Sequence, residues 1–523
     1  MRVAALSVRD AKAAFGVSLI ADTESGIIPT KSFIKKTEFT EAILMFRFAM
    51  IFQALVLCIS LSSVVQSAER PNVLFIAVDD LNDWIGCLGG HPDGSSPNID
   101  ALAKRGCLFT KSYCSAPACN PSRVAIMTGM RPTTTGIYVN PQPWKPVLKD
   151  AVTLPQHFMK HGYHAAGCGK IYHGAYDDDT SWNQYLKKGG DPKPTQKVQK
   201  DPHSKAGGII WGVLDNKDSE MNDHKMVDYA VDFLEQDHDK PFFLACGIYR
   251  PHMPWQVPRK YYDLFPHDKV TLPEVLESDL DDLSPAGVKM AKPTGDHANI
   301  LKSDNWRYAV QAYLASIRFA DEQVGRLIRG LDNSKYGKNT IIVLWGDHGW
   351  HLGEKHHWRK FSLWEEACRA PLMVIAPGIT SVGSKCGRTV DFVDIYPTLS
   401  ELCGLPIGDH LDGESVVPLL KNPDQAWEHP ALTSHGLKND AVRTERWRLI
   451  RYADGSEELY NHDNDPMEWT NLAGRPEFAD LRKELATWLP TSHAKEAPYD
   501  QGKRRPKNQT KTQQTARKKK PSQ

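Results

Sequence analysis

Apart from one stretch near its start, the chain has no long apolar run, which excludes a multi-span membrane protein. It contains no internal repeat, so solenoid and propeller architectures are also out. Ten cysteines are present, but the eight other than Cys58 and Cys119 are scattered and show no paired metal-ligand spacing. Charge of one sign is missing overall: 64 Lys/Arg against 63 Asp/Glu leave a net charge of +1. No nucleic-acid partner is expected from such a balance. The exception is the end, where residues 501–523 hold nine Lys/Arg and no acid, so the remainder is mildly acidic. Such a tail reads as solvated and disordered, with adhesion to polyanions the lesser alternative.

What is present is ordinary for a soluble globular protein: 523 residues, 41% hydrophobic and 24% charged. That length accommodates one large core with a satellite, or two to three domains. The lone apolar run, Phe48 to Val65, follows Arg47 and precedes Ser67-Ala68-Glu69-Arg70. This is the pattern of a secretory signal cleaved near Ser67 or Ala68, with a signal anchor as the alternative. The first 44 residues fit neither role, so translation is expected to begin at Met45 or Met50. The mature protein is then exported, to a periplasm, the outside or a lysosome-like compartment, without a stable membrane span. Export permits disulfides. Cys87, Cys107, Cys114, Cys168, Cys246, Cys368, Cys386 and Cys403 read mostly as buried thiols, with room for one or two bridges.

Four apolar runs lack alternation and read as strands buried on both faces: 72–78, 241–246, 340–345 and 371–376. Helical periodicity fills Tyr308 to Leu331, and Asp100 to Ala103 reads as a short helix. Strands separated by helices predict a doubly wound α/β domain with functional groups at the carboxyl ends of its strands. Beyond residues 420–430 the texture changes. Ala441 to Tyr452 and Glu457 to Tyr460 predict strands joined at Asp454-Gly455, and Phe478 to Leu489 predicts a closing helix. The expected organisation is 1–68 (start and signal), 69–425 (catalytic domain), 426–495 (small α+β subdomain) and 496–523 (disordered tail).

The most informative stretch is Cys119-Asn120-Pro121-Ser122-Arg123, followed by Val124-Ala125-Ile126-Met127-Thr128-Gly129-Met130-Arg131-Pro132. If the apolar part is helical, Cys119 stands at its N-terminal edge, where the backbone dipole and Arg123 favour an anion. Taken alone, Cys119 reads better as a buried structural thiol. Asp79-Asp80 and Asp347-His348 each follow a buried strand, and oxygen donors converging from two strand ends suit Ca²⁺ or Mg²⁺. In isolation the two acids at 79 and 80 would be solvated loop residues.

The pattern C-x-P-S-R-x-x-x-M-T-G-x-x-P closely resembles the first signature of the type I sulfatases, in the alkaline-phosphatase-like superfamily. Gly162-Tyr163 and Gly169-Lys170-Ile171-Tyr172-His173 resemble the second signature of that family. Arg250-Pro251-His252-Met253-Pro254-Trp255 resembles a further sulfatase segment, and Asp347 to Glu354 with Trp358-Arg359-Lys360-Phe361-Ser362 is similar to iduronate-2-sulfatases in particular. The resemblance runs from Asn72 to Leu472 and ends in the segment Glu458 to Glu468.

The resemblance implies a large mixed, mostly parallel sheet flanked by helices, with a small C-terminal α+β subdomain. It implies that a maturation enzyme oxidises Cys119 to formylglycine, whose hydrated aldehyde is the nucleophile. It implies one Ca²⁺ held by Asp79, Asp80, Asp347, His348 and residue 119, with His348 as the least typical ligand. Lys170 and Lys360 would neutralise sulfate, His173 would take a proton from the second hydroxyl of the diol, and His252 would face the leaving oxygen. Arg123 would orient the diol. Arg250, Arg359, Arg443 and Arg446 are candidate contacts to an acidic glycan, while His351, His356 and His357 take no assigned role and read as solvated loop histidines, with metal ligation the lesser alternative. The implied substrate is a sulfated saccharide, such as a 2-O-sulfated uronic acid. A phosphonate monoester or phosphodiester hydrolase is the alternative within the superfamily. A non-catalytic sulfated-glycan-binding protein ranks lower. A thiol-based hydrolase ranks last, because the spacing from Cys119 to Arg123 does not match the longer phosphate loop of cysteine phosphatases.

Overall fold

The computed structural model describes residues 70–500; the apolar run at 48–65 and residues 501–523 lie outside them. One eight-stranded sheet organises the chain. Its strands are β1 (Asn72–Val78), β2 (Cys107–Tyr113), β3 (His164–Gly169), β4 (Gln184–Lys187), β5 (Phe242–Ile248), β6 (Thr340–Gly346), β7 (Leu372–Ile375) and β8 (Ser384–Asp391). They lie in the order β8-β2-β7-β6-β1-β5-β3-β4. The principal helices are α1 (Pro97–Ala103), α2 (Cys119–Thr128), α3 (Leu154–Lys160), α4 (Asn222–Glu235), α5 (Trp306–Asn333) and α6 (Ile395–Leu402).

Successive side chains of a strand point to opposite faces, so a run that is apolar throughout needs a core on each side. β1 meets this condition. Leu74, Ile76 and Val78 enter one core with α4 and α5, and Val73, Phe75 and Ala77 enter the other with α2, α3 and α6. All neighbours in the sheet pair in parallel except β7, which is antiparallel to both β6 and β2. The run at 371–376 is thus a buried strand of opposite direction, which an unalternating apolar pattern does not reveal.

The C-terminal part departs from expectation in detail. A four-stranded antiparallel sheet contains β9 (Ala431–Ser434), β10 (Asp440–Arg443), β11 (Trp447–Arg451) and β12 (Glu457–Asn461), with α7 (Ala479–Ala486) against it. The expected strand from 441 to 452 is two strands, because Thr444 turns the chain and bonds Trp447. Residues 496–500, expected to be disordered, dock instead: Ala497 N–H donates to Gly136 O at 2.9 Å and Asp500 N–H to Pro141 O at 2.8 Å. Among the described residues all nine cysteines are free thiols, so the expected one or two bridges are not there. Cys168 and Cys246 stand opposite each other in β3 and β5 and still remain unlinked. No helix among the described residues is long and apolar enough to cross a membrane.

Register places the site. Val78 of β1 pairs with Gly346 of β6 and Ile248 of β5, and Gly247 of β5 pairs with Gly169 of β3. Four adjacent strands therefore end level, and the segments opening at Asp79, Asp347, Tyr249 and Lys170 leave from one edge. Glycine at 247 is a steric requirement, since a Cβ there would overlap the backbone of Lys170. Gly247→Ala should cost about 1–3 kcal/mol, as overpacking does. Gly474→Ala, whose added methyl faces open space, should be near neutral; thermal denaturation of the two variants checks the difference.

Candidate active site

Helix α2 begins at Cys119, after Ala118 in extended conformation, and ends at Gly129, whose φ of 70° caps it in the left-handed region. All ten helical residues are buried. Its first turn meets the strand ends, so Cys119 is delivered to the edge where β1, β3, β5 and β6 finish. Within that turn Ser122 Oγ–H donates to the Asp347 carbonyl, and Asn120 N–H donates to Asn140 Oδ1 at 2.9 Å.

Arg123 uses its whole fork. Nε donates to Asp347 Oδ2 at 2.9 Å and one terminal nitrogen to Asp79 Oδ1 at 3.0 Å. The other donates to the carbonyls of Lys170 at 2.6 Å and Ile171 at 3.0 Å. The guanidinium is fully buried and lies over the Trp345 ring at 5.4 Å. It therefore satisfies the ends of β1, β6 and β3 from inside the protein.

Asp80 carries the second acidic position. Its φ of 59° is left-handed, which Asp tolerates better than most side chains. Its N–H donates to Asp347 Oδ1 at 3.0 Å, and its carbonyl accepts from Tyr313 Oη at 2.7 Å. The Asp80 carboxylate meets Lys360 Nζ at 2.7 and 2.9 Å, while Lys170 Nζ pairs with Asp79. His348 Nε2 lies 3.3 Å from Cys119 Sγ, 3.4 Å from Asp80 and 3.5 Å from Asp347. Cys119 Sγ is 3.8 Å from Asp80 Oδ1, and His252 Nε2 is 3.8 Å from Asp80 Oδ2. His173 contacts the Cys119 thiol.

Three buried carboxylates are thus matched by three permanent cations. Burial works against ionising Cys119, but Lys170, Lys360 and His348 outweigh it and hold the thiol well below its ordinary range. Burial likewise opposes ionised Asp79, and Lys170 and His252 override it, holding the acid low. Asp347 is pushed up to about 6 by burial, partly offset by Arg123. His348 rises to about 9 despite burial, because Asp347 and Cys119 favour its charged form.

Ligand atoms of Asp80, Cys119, Asp347 and His348 all lie within 4.8 Å of one another, and those of Asp79, Asp80 and His252 form a second such group. Anionic oxygens are the donors that a hard divalent cation prefers, so this set fits Ca²⁺. His348 Nδ1 lies 3.0 Å from Gly349 O. That contact fixes the ring and leaves Nε2 toward the acids, the orientation a metal-bound imidazole needs. Residue 119 stands between the same acids and both lysines, where a negatively charged ester would be held.

The other histidines and arginines fall elsewhere. His351 and His357 are buried rather than solvated: His357 Nε2 lies 2.9 Å from Lys360 O, and His351 Nε2 lies 2.8 Å from Ser362 Oγ. Burial lowers the pKa of both, so they join the Lys360 loop as neutral rings. His356 is half-buried and stacks on His297 at 5.1 Å. Arg443, a candidate sugar contact, is buried and spent on Glu365 at 3.1 Å inside the C-terminal sheet. Arg250 is likewise buried, pairing with Asp191 at 2.8 Å. Arg359 pairs with Asp296 at 2.6 Å, and Arg446 with Asp463 at 3.2 Å. Tyr313, which props Asp80, carried no sequence signal beyond its place in a helical apolar stripe.

The family model for sulfatases matches residues 71–405, and that for the N-sulphoglucosamine sulphohydrolase C-terminal region matches 347–495. A sulfatase of Formosa agariphila is 38% identical over 453 residues, covering 82% of this chain and 88% of that protein. Iduronate 2-sulfatase of Homo sapiens is 30% identical over 407 residues, covering 67% of this chain and 72% of that protein. The solved phosphonate monoester hydrolase of Agrobacterium radiobacter has a TM-score of 0.67 at 23% identity. It covers 80% of this chain and 94% of that one, a likeness of fold.

Removing the buried guanidinium tests the arrangement. Arg123→Met strands two carboxylates and should cost about 3–5 kcal/mol, with Arg123→Lys recovering part of the loss. A denaturant midpoint for Arg123→Met equal to that of the parent protein would show that the clamp is not structural.

Proposed function

Because the chain belongs to the sulfatase family, and is in that sense a sulfuric ester hydrolase, we propose that it desulfates a saccharide carrying a 2-O-sulfated uronic acid. The observation that carries this reading is the junction of Cys119, Asp80, Asp347 and His348 within 4.8 Å, beside Lys170 and Lys360. The likeness to iduronate 2-sulfatase supports the choice of sugar.

Oxidised to formylglycine, residue 119 supplies a hydrated aldehyde as nucleophile. Asp79, Asp80, Asp347 and His348 would hold Ca²⁺, which would supply positive charge to the sulfate. The chain's own groups do the rest. Lys170 and Lys360, both buried, stabilise the charge that develops on sulfate oxygens as the S–O bond breaks. His252, with 22% of its side chain accessible, is placed to protonate the leaving sugar oxygen. His173 touches residue 119 and is held below its ordinary pKa by burial, so it is a neutral base for a proton at that residue. Arg123 keeps Asp79 and Asp347 ionised and oriented.

Residues 69–425 form the catalytic domain in this reading and 426–495 a supporting subdomain. The protein is exported and depends on a formylglycine-generating enzyme. Mass spectrometry of the peptide spanning 113–131 should find Cys119 as formylglycine, and Cys119→Ala should abolish release of inorganic sulfate from a 2-O-sulfated uronate disaccharide. Lys360→Ala should lower kcat by about 10²–10³-fold. Faster hydrolysis of an aryl phosphonate than of the matched aryl sulfate would instead favour a phosphonate monoester hydrolase. Chelation followed by desalting should lower both activity and the melting temperature, and Ca²⁺ should restore both. An unchanged melting temperature with intact activity would remove the metal from the scheme.

A further inference from the structure

The segment after β4 places a cation at the mouth of the site. Lys188 Nζ lies 2.9 Å from the centroid of the Tyr249 ring. Tyr249 opens the segment that follows β5, and its ring is 5.3 Å from Lys170 Nζ and 4.7 Å from the His252 ring. Lys188 is therefore one aromatic ring away from the groups set around the ester.

This placement is built. Gly189 N–H donates to Asn222 Oδ1 at 2.6 Å, and Asn222 N–H donates to Asp191 Oδ1 at 2.8 Å. Asp191 also receives Arg250, at 2.8 Å. Asp223, next along α4, accepts the N–H groups of Tyr249 and Arg250, each at 2.9 Å. The turn carrying Lys188 and the segment carrying Tyr249 are thus tied to the same helix start, so ring and ammonium keep their registry.

Lys188 has no carboxylate in direct contact among the described residues. Arg123, Lys170, Lys360, Arg250 and Arg359 each contact a carboxylate within 4 Å. Among the described residues Lys188 contacts none within that distance, and the face of Tyr249 is its nearest partner. Burial of the ammonium lowers its pKa to about 8, and Asp223 and Asp191 only partly counter this. The residue as a whole is exposed, so an arriving anion can reach it.

We propose that Lys188, seated on Tyr249, is a specificity-determining cation that binds a second anionic group of the sugar whose sulfate ester is cleaved. That group is a carboxylate or a further sulfate. The inference rests on the saccharide reading above and adds the residue that recognises acidic sugars. Cations at a pocket mouth also steer anionic ligands toward it.

The test compares kcat/KM of the full-length protein, Lys188→Ala and Lys188→Arg. The substrates are a 2-O-sulfated uronate disaccharide, its carboxyl-reduced analogue, a disaccharide with one additional sulfate, and an aryl sulfate. A charge-assisted contact predicts that Lys188→Ala loses roughly tenfold on the uronate disaccharide relative to the aryl ester, through KM, and that Lys188→Arg keeps most of the selectivity. If the carboxyl-reduced analogue abolishes the difference between parent and Lys188→Ala, the bound group is the carboxylate. If the difference follows the additional sulfate, the bound group is that sulfate. A selectivity ratio equal in parent and Lys188→Ala on every saccharide overturns the proposal and leaves the sulfatase reading intact. A parent protein that cleaves the aryl ester and no saccharide removes the saccharide reading, and this proposal with it.

Discussion

Arg123 is the interaction on which the rest of the site depends. Its four hydrogen bonds are divided among Asp79, Asp347 and the carbonyls of Lys170 and Ile171, so one side chain on α2 joins the ends of three strands. A buried ion pair gains little by itself, because desolvation consumes much of the attraction. Its value here is geometric. A planar fork with fixed donor directions leaves the two carboxylates a single arrangement, in which Asp79 Oδ2 takes Lys170 and Asp347 Oδ1 takes the Asp80 N–H.

Around this clamp the charges nearly cancel. Asp79, Asp80 and Asp347 face Arg123, Lys170 and Lys360, and the histidines adjust the remainder. A site so balanced holds acidic and basic groups a few ångströms apart without either losing its charge. Lys188 stands outside the balance, over an aromatic ring and without a carboxylate. In the proposed reading, that difference separates the groups set around the ester from a group left for the rest of the sugar.

The C-terminal sheet supports the same machinery from behind. Arg448 donates to Leu363 O at 3.0 Å and pairs with Glu365 and Glu468, and Trp364 Nε1 donates to Glu458 at 2.8 Å. These contacts seize the chain just after Lys360, while Phe361 N–H donates to Pro117 O at 3.0 Å just before Cys119. Arg443 belongs to this buried lattice. Its apparent suitability as a sugar contact disappears once its partner Glu365, far away in sequence, is seen.

Much was legible in the residues themselves. Unalternating apolar runs at 72–78 and 340–345 required two cores, and the acids directly after them had to emerge at a strand end. The motif from Cys119 to Pro132 placed a thiol, a hydroxyl and a cation in one helical turn. Local pattern could decide these points because they depend on side-chain period and on neighbours a few residues away. It could not decide that β7 runs backwards, that His351 and His357 are buried struts, or that Lys188 reaches Tyr249. Those facts depend on which distant segment supplies the facing group, and only the packed sheet, with its strand order and register, determines that partner.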